Sequence, residues 1–100
     1  MLKITAHDDG DSDIVLNLQG RLGGPWVAEL ERACEAARAT GGRLTLDLAG
    51  VSFVDGEGTL LVQRLVAWPV SLRNCSPFVA EQLRGIARCV PLDRGSGVGL

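Results

Sequence analysis

The stretch RLTLDLAGVSFVDGEGTLLVQRLV, Arg43 to Val66, decides the fold. Leu44, Leu46 and Leu48 alternate with Thr45 and Asp47, the period of a strand with one buried face. Ala49-Gly50 interrupts the alternation. Val51-Ser52-Phe53-Val54 then leads into two acids interleaved with two glycines, Asp55-Gly56-Glu57-Gly58. From there the period changes to that of a helix. Leu61, Leu65 and Trp68 fall on one row with Val62 and Val66 beside it, and Pro69 ends the segment.

Upstream, Leu2, Ile4 and Ala6 alternate with Lys3, Thr5 and His7, and Ile14 to Gln19 follows after HDDGDSD. Two such runs across a polar turn predict a hairpin. Gly20 to Gly24 (GRLGG) is expected to be a loop. Pro25 opens a helix, because its fixed φ and missing N–H suit the first helical position. Trp26, Leu30, Ala33, Cys34 and Ala37 mark that helix's apolar face, and Gly41-Gly42 stops it. Glu29–Arg32 and Glu35–Arg38 are spaced as i,i+3 ion pairs, each worth about 0.2–0.5 kcal/mol.

Downstream, Val70 to Leu72 is a short strand. Ser76 or Pro77 starts a third helix with Phe78, Val79, Leu83 and Ile86 turned inward, and Gly85 weakens its last turn. The tail from Asp93 is expected to fray. The order β-β-α-β-α-β-α predicts an α/β sandwich. Its mixed sheet has about four strands with helices packed on it, in a single domain over residues 1–100. The second and third strands, joined through a helix, should pair in parallel by a right-handed crossover.

The bulk numbers agree with a small globular domain. Hydrophobic residues make up 46% of the 100, charged residues 22%, and the net charge is −2. No lysine- or arginine-rich run suggests nucleic acid. The start, MLKITAHDDG, lacks the apolar core of a secretory signal. No apolar run reaches the roughly 20 residues of a membrane span, so no membrane insertion and a cytoplasmic location are expected. Three cysteines, Cys34, Cys75 and Cys89, without C-x-x-C spacing argue against a disulfide framework and a zinc site. Cys34, on the apolar face of its helix, reads as a buried free thiol.

Several patterns that could carry chemistry fail on inspection. Asp9, Asp11 and Asp13 are spaced like the first ligands of an EF-hand loop, but Ile14 stands where the loop needs glycine and Gly20 where it needs glutamate. His7 is the single histidine, and no G-x-S-x-G elbow accompanies it. GRLGG lacks the glycine spacing and the lysine of nucleotide-binding loops, and GSGVGL leads into no helix. Asp55 and Glu57 remain. They could be a general acid and base, or Asp55 an N-cap and Glu57 a charge at the positive end of the helix dipole. Gly56 and Gly58 would let another backbone approach. No histidine, nucleophile or metal cluster supports catalysis. No enzyme activity, catalytic residue, metal or cofactor is therefore expected.

The framework Asp47-Leu48, then Val51, Phe53, Val54, Asp55 and Gly58, resembles the STAS domain shared by anti-sigma-factor antagonists and sulfate transporters. In that family a strand ending in Asp-Leu is followed by an apolar link and by Asp-Ser-Ser/Thr-Gly opening a helix. The loop Gly20–Leu22 and the segment NCSPFVAEQL from Asn74 are also similar, so the likeness runs to about Ala87. No final strand and helix are evident after Cys89, which implies a shortened member. The resemblance implies a protein-interaction module without catalysis. Its implied docking face holds Arg21, Gly23 and Gly24 together with Asp55, Gly56, Glu57, Gly58 and Thr59.

In the antagonists, a partner kinase that is itself an anti-sigma factor phosphorylates the first serine after the aspartate. Gly56 occupies that position here and carries no hydroxyl, and Glu57 replaces the next Ser or Thr. No phosphorylation is expected at the usual site; Ser52 and Thr59 are nearby hydroxyls that do not match it. Glu57 could act as a fixed negative charge. The implied partner is an anti-sigma-factor kinase or, in an alternative role, an ATPase subunit of a lipid-transport complex in which the domain is structural. A second alternative is a nucleotide or small-ligand binder. An exposed sheet edge also offers a route to a homodimer.

Overall fold

A computed structural model describes residues 2–8, 13–68, 70–87 and 89–91. Asp9 and Asp11 of the acidic turn, Pro69 and the tail from Asp93 lie outside the described residues. The elements are β1 (Leu2–Asp8), β2 (Ile14–Leu22), α1 (Trp26–Arg38), β3 (Leu44–Val54), α2 (Gly56–Leu65), β4 (Val70–Cys75), α3 (Pro77–Gln82) and β5 (Cys89–Pro91). The α/β class and the order of elements follow the sequence expectation. A short fifth strand comes after them, where no further strand had been expected. The sheet order is β1-β2-β3-β4-β5, with β1–β2 antiparallel and the other three pairs parallel.

Strand alternation sets the two faces of the sheet. Ala6, Leu16, Leu46 and Leu72 are successive register partners across four strands, and the three leucines are buried. The adjacent row is Thr5, Asn17, Asp47 and Arg73, all polar. α1 and α2 bury Val27, Leu30, Cys34, Ala37, Leu61, Val62 and Leu65 in one core with the leucine face. The sheet therefore carries its helical layer on one side, as a clean apolar/polar alternation requires. Val27 belongs to this core although the sequence pattern pointed to Trp26, which is only half-buried.

β3 does not break at Ala49-Gly50. It runs on to Val54 with two register shifts against β2, where Asn17 and Gln19 face Asp47 and Gly50, and Gly20 and Arg21 face Val51 and Phe53. Each shift adds one residue to β3, the signature of a β-bulge. The bulges move the inward set from Leu44, Leu46 and Leu48 to Val51 and Val54, which is why simple alternation fails there. Gly20–Leu22 is likewise strand and not loop. At Gly50 a Cβ would lie 2.7 Å from Gln19 Cγ and 2.9 Å from the Leu18 carbonyl oxygen, so the bulge needs glycine.

Surface pairing differs from the spacing rules at several places. Glu29–Arg32 forms at 3.6 Å between exposed side chains. Arg38, expected to pair with Glu35, instead lies 4.3 Å above the Trp68 ring. Arg64 pairs with Glu31 at 3.2 Å and links α2 to α1. Asp47 binds three groups: the Ala49 N–H at 3.0 Å, the Asn74 amide at 3.0 Å and the Arg73 guanidinium at 3.8 Å. Asn74 has φ +63, where Asn is among the residues best tolerated. Cys75 is disulfide-bonded, against the expectation from cysteine spacing. A disulfide is made by tertiary approach, which spacing along the chain does not report.

Cys34 is a buried free thiol, as expected. Burial, with the Glu31 and Glu35 carboxylates adding to it, pushes the thiol from 9.0 up to about 12. Native protein should therefore resist thiol reagents at pH 8 at this position while unfolded protein reacts. The pH effect has a definite sign. A thiol that keeps its proton in the fold but loses it in the unfolded chain leaves stability untouched below pH 9. Between pH 9 and about 12 that stability is lost at about 1.4 kcal/mol per pH unit. Urea denaturation of wild type against Cys34→Ala above pH 9 measures the difference in slope.

Candidate functional site

The site forms where β2 and β3 end side by side and α1 and α2 begin. β3 stops at Val54, and Asp55, extended at φ −88 and ψ −174, caps α2. Its Oδ1 accepts the Gly58 N–H at 2.8 Å and its Oδ2 accepts the Gly24 N–H at 3.2 Å. Its own N–H donates to the Leu22 carbonyl at 3.0 Å. One residue thus ties the start of α2 to the end of β2 and to the turn before α1. Gly23 leaves room for this, because a Cβ there would overlap the Asp55 carboxylate. Gly24, at φ +58, turns the chain into Pro25.

The four residues Asp55 to Gly58 divide into two pairs. Asp55 and Gly58 face inward. A Cβ on Gly58 would lie 2.7 Å from the Leu22 carbonyl oxygen and 2.8 Å from Val54 Cγ1. Gly56 and Glu57 face outward. Gly56 would have nothing within 4 Å of an added Cβ, and the Glu57 carboxylate is exposed with no hydrogen bond or ion pair to a described residue. Of the two glycines, only Gly58 permits a close backbone approach.

This geometry answers the question of the carboxylate pair. Both oxygens of Asp55 are engaged by backbone N–H groups, and Glu57 points away from it, so the two acids do not share a substrate position. Asp55→Ala should cost about 1–2 kcal/mol in urea denaturation, the usual price of an N-cap. Asp55→Asn keeps one oxygen for the Gly58 N–H but turns an amide NH2 toward the Gly24 N–H, so it should cost about 1 kcal/mol, from the lost charge and the lost second acceptor. Among the described residues, no group of three His, Cys, Asp or Glu side chains is placed to hold a metal, and no helix is long and apolar enough to cross a membrane.

The hydroxyls near the corner are occupied. Thr59 Oγ1 donates to the Gly56 carbonyl at 2.8 Å, and Ser52 Oγ donates to the Gly20 carbonyl at 3.3 Å. Arg21, Gly23 and Gly24, the other residues named from the resemblance, do lie at this corner. With Leu22, Trp26, Phe53 and Asp55 they line a concavity of about 310 Å³.

Two residues at this end of the sheet, Phe78 and Gln82, were misplaced or missed by sequence pattern. Phe78, expected inward, is 57% exposed and stacks on Phe53 with ring centroids 6.3 Å apart. Arg21 places its guanidinium 5.1 Å from the other partner, the Phe53 ring. Gln82 of α3 uses its whole amide on Val54, with Nε2 donating to the Val54 carbonyl at 2.7 Å and Oε1 accepting the Val54 N–H at 3.0 Å. β4 pairs with β3 only from Leu44 to Asp47, so Gln82 satisfies backbone that the sheet leaves open. An amide on the last residue of a six-residue helix gives no periodic signal of such a role.

No family model matches the chain, and no curated protein does. Solved structures do match. The anti-sigma factor antagonist SpoIIAA, in its unphosphorylated form, aligns with a TM-score of 0.67 at 18% identity, over 97% of this chain and 96% of that one. An uncharacterized protein from Shewanella loihica, of the DUF3478 family and with a SpoIIAA-like fold, aligns with a TM-score of 0.56 at 13% identity, over 83% and 74%. β5 supplies a final strand where none was evident after Cys89. The chain carries the STAS-like fold of the anti-sigma factor antagonist SpoIIAA.

Proposed function

We propose that this protein is a non-enzymatic interaction module of the anti-sigma-factor-antagonist type, docking through the corner formed by Arg21 to Gly24 and Asp55 to Thr59. The observation that carries the proposal is the division of labour at the start of α2. Asp55 and Gly58 build a fixed corner, while Gly56 and Glu57 are presented to solvent from it. A surface held by backbone hydrogen bonds is preorganised for a partner, which lowers the ordering cost of binding. The likeness to SpoIIAA, an anti-sigma factor antagonist, supports an anti-sigma factor as the class of partner.

Gly56 makes the module one that phosphorylation does not switch at the helix start. A phosphate would bring about −1.5 to −2 charges to this face; Glu57 brings one and holds it at all times. The test mixes purified protein with each anti-sigma factor of its native host, with and without ATP. The expected result is a complex that ATP does not dissolve and a wild-type chain that takes up no phosphate. Gly56→Ser, for which the structure has open space, should acquire phosphate from a kinase-type partner and then dissociate. Stoichiometric phosphate on wild-type Ser52 or Thr59 would overturn the unswitched reading. Failure to bind any anti-sigma factor would overturn the partner class.

A further inference from the structure

We infer that the anchor of this docking face is the Arg21–Phe53–Phe78 stack, and that it receives a peptide segment presenting a carboxylate beside an apolar side chain. The inference rests on the proposed docking role of this corner and names the chemistry of the partner there. It grows from an anomaly: Phe78 is one of three exposed large hydrophobics among the described residues, with Leu60 and Val66, and it is the aromatic one. Its ring is not loose. It stacks on Phe53 at 26° between planes, and α3, which carries it, is capped by Ser76 Oγ accepting the Val79 N–H at 3.2 Å. Phenylalanine and arginine are both enriched at protein interfaces relative to the rest of the surface.

The charge supplies the second half of the recognition. Arg32, Arg64, Arg73 and Arg84 each have a carboxylate within 4.0 Å. Arg21 has none among the described residues. Its guanidinium lies by the Phe53 ring instead, a contact that holds the group without using its hydrogen-bond donors. A planar fork held in this way matches a carboxylate bidentately. The adjoining concavity of about 310 Å³, floored by Gly23, Gly24 and Asp55, is of a size for one side chain. Among the described residues no ion pair joins Arg21 to the Asp55 carboxylate, whose oxygens accept the Gly24 and Gly58 N–H groups. Glu57 is not part of the stack and sets only the rim.

The test uses immobilised full-length protein and a phage library of random heptapeptides, followed by titration of the best selected peptide. Enriched peptides should carry Asp or Glu within two positions of Leu, Ile, Met or an aromatic residue. Phe78→Ala and Arg21→Ala should each weaken that peptide roughly tenfold or more, and Glu57→Gln by less than about threefold. Arg21→Glu should turn the selection toward basic peptides. Both side chains are exposed, so thermal melts of the variants should stay near wild type and show that folding is intact. An absence of enrichment, or enrichment that Phe78→Ala and Arg21→Glu leave unchanged, would overturn the inference. A peptide selected as described combined with no anti-sigma-factor complex would keep the anchor and discard the partner class.

Discussion

Gly58→Ala should destabilise the fold by about 2 kcal/mol, whereas Gly56→Ala, the same exchange two residues earlier, should be neutral or slightly stabilising. At position 58 the new methyl meets the Leu22 carbonyl oxygen at 2.7 Å and Val54 Cγ1 at 2.8 Å. Neither neighbour yields easily. The carbonyl belongs to β2 and already accepts the Asp55 N–H, and a valine side chain is stiff at χ1. Overpacking against atoms that yield so little costs about 3 kcal/mol, the upper end of its usual range. Relief from the helix preference for alanine offsets up to about 1 kcal/mol, which places the net loss near 2 kcal/mol. At position 56 no atom lies within 4 Å and the helix preference acts alone. Urea denaturation of the two variants checks the contrast. Equal effects would mean that α2 does not press on β2 as described. The displaced Leu22 carbonyl would also loosen Asp55, so Gly58→Ala should weaken partner binding as well as stability.

Gln82→Met should cost about 2–4 kcal/mol, roughly 10–20 °C in melting temperature. Methionine has nearly the shape of glutamine but cannot pair with the Val54 N–H and carbonyl. Both groups then lose their partners in a part-buried place, at about 1–2 kcal/mol each. Gln82→Glu provides a graded control. Its carboxylate can still accept the Val54 N–H but meets the Val54 carbonyl with a second acceptor, so it should rescue part of the loss and not all of it. Loss of this clamp frees the end of β3, which carries Phe53 and leads into Asp55. Amide hydrogen exchange at Val54 should quicken in step with the drop in stability. A Gln82→Met variant as stable as wild type would show that the Val54 backbone finds other partners.

How much was legible beforehand varies by element. The helix caps were legible because capping is local: Asp55 bonds Gly58 and Ser76 bonds Val79, each within one turn. The hairpin and the parallel strands were legible because Leu2, Ile4 and Ala6, and then Leu44, Leu46 and Leu48, keep one period long enough to identify a face. The bulges were not, because an extra residue in β3 has meaning only against β2. Phe78 was misread for a related reason. Position in a short apolar helix says that a ring is near the core, but the place beside it was already taken by Val79 and Leu83, both buried.

The sequence by itself determined the order of elements, the helix starts, the place of the acid–glycine corner and the absence of a hydroxyl at Gly56. Each of these is set by side-chain chemistry within a few residues along the chain. Only the tertiary structure decided that Asp55 is a tie between β2, α1 and α2, that Gly58 and not Gly56 marks the close approach, and that Arg21, Phe53 and Phe78 stand together. Those facts depend on contacts between residues some 25 to 36 positions apart, and no local pattern carries information about which distant backbone or ring a side chain will meet.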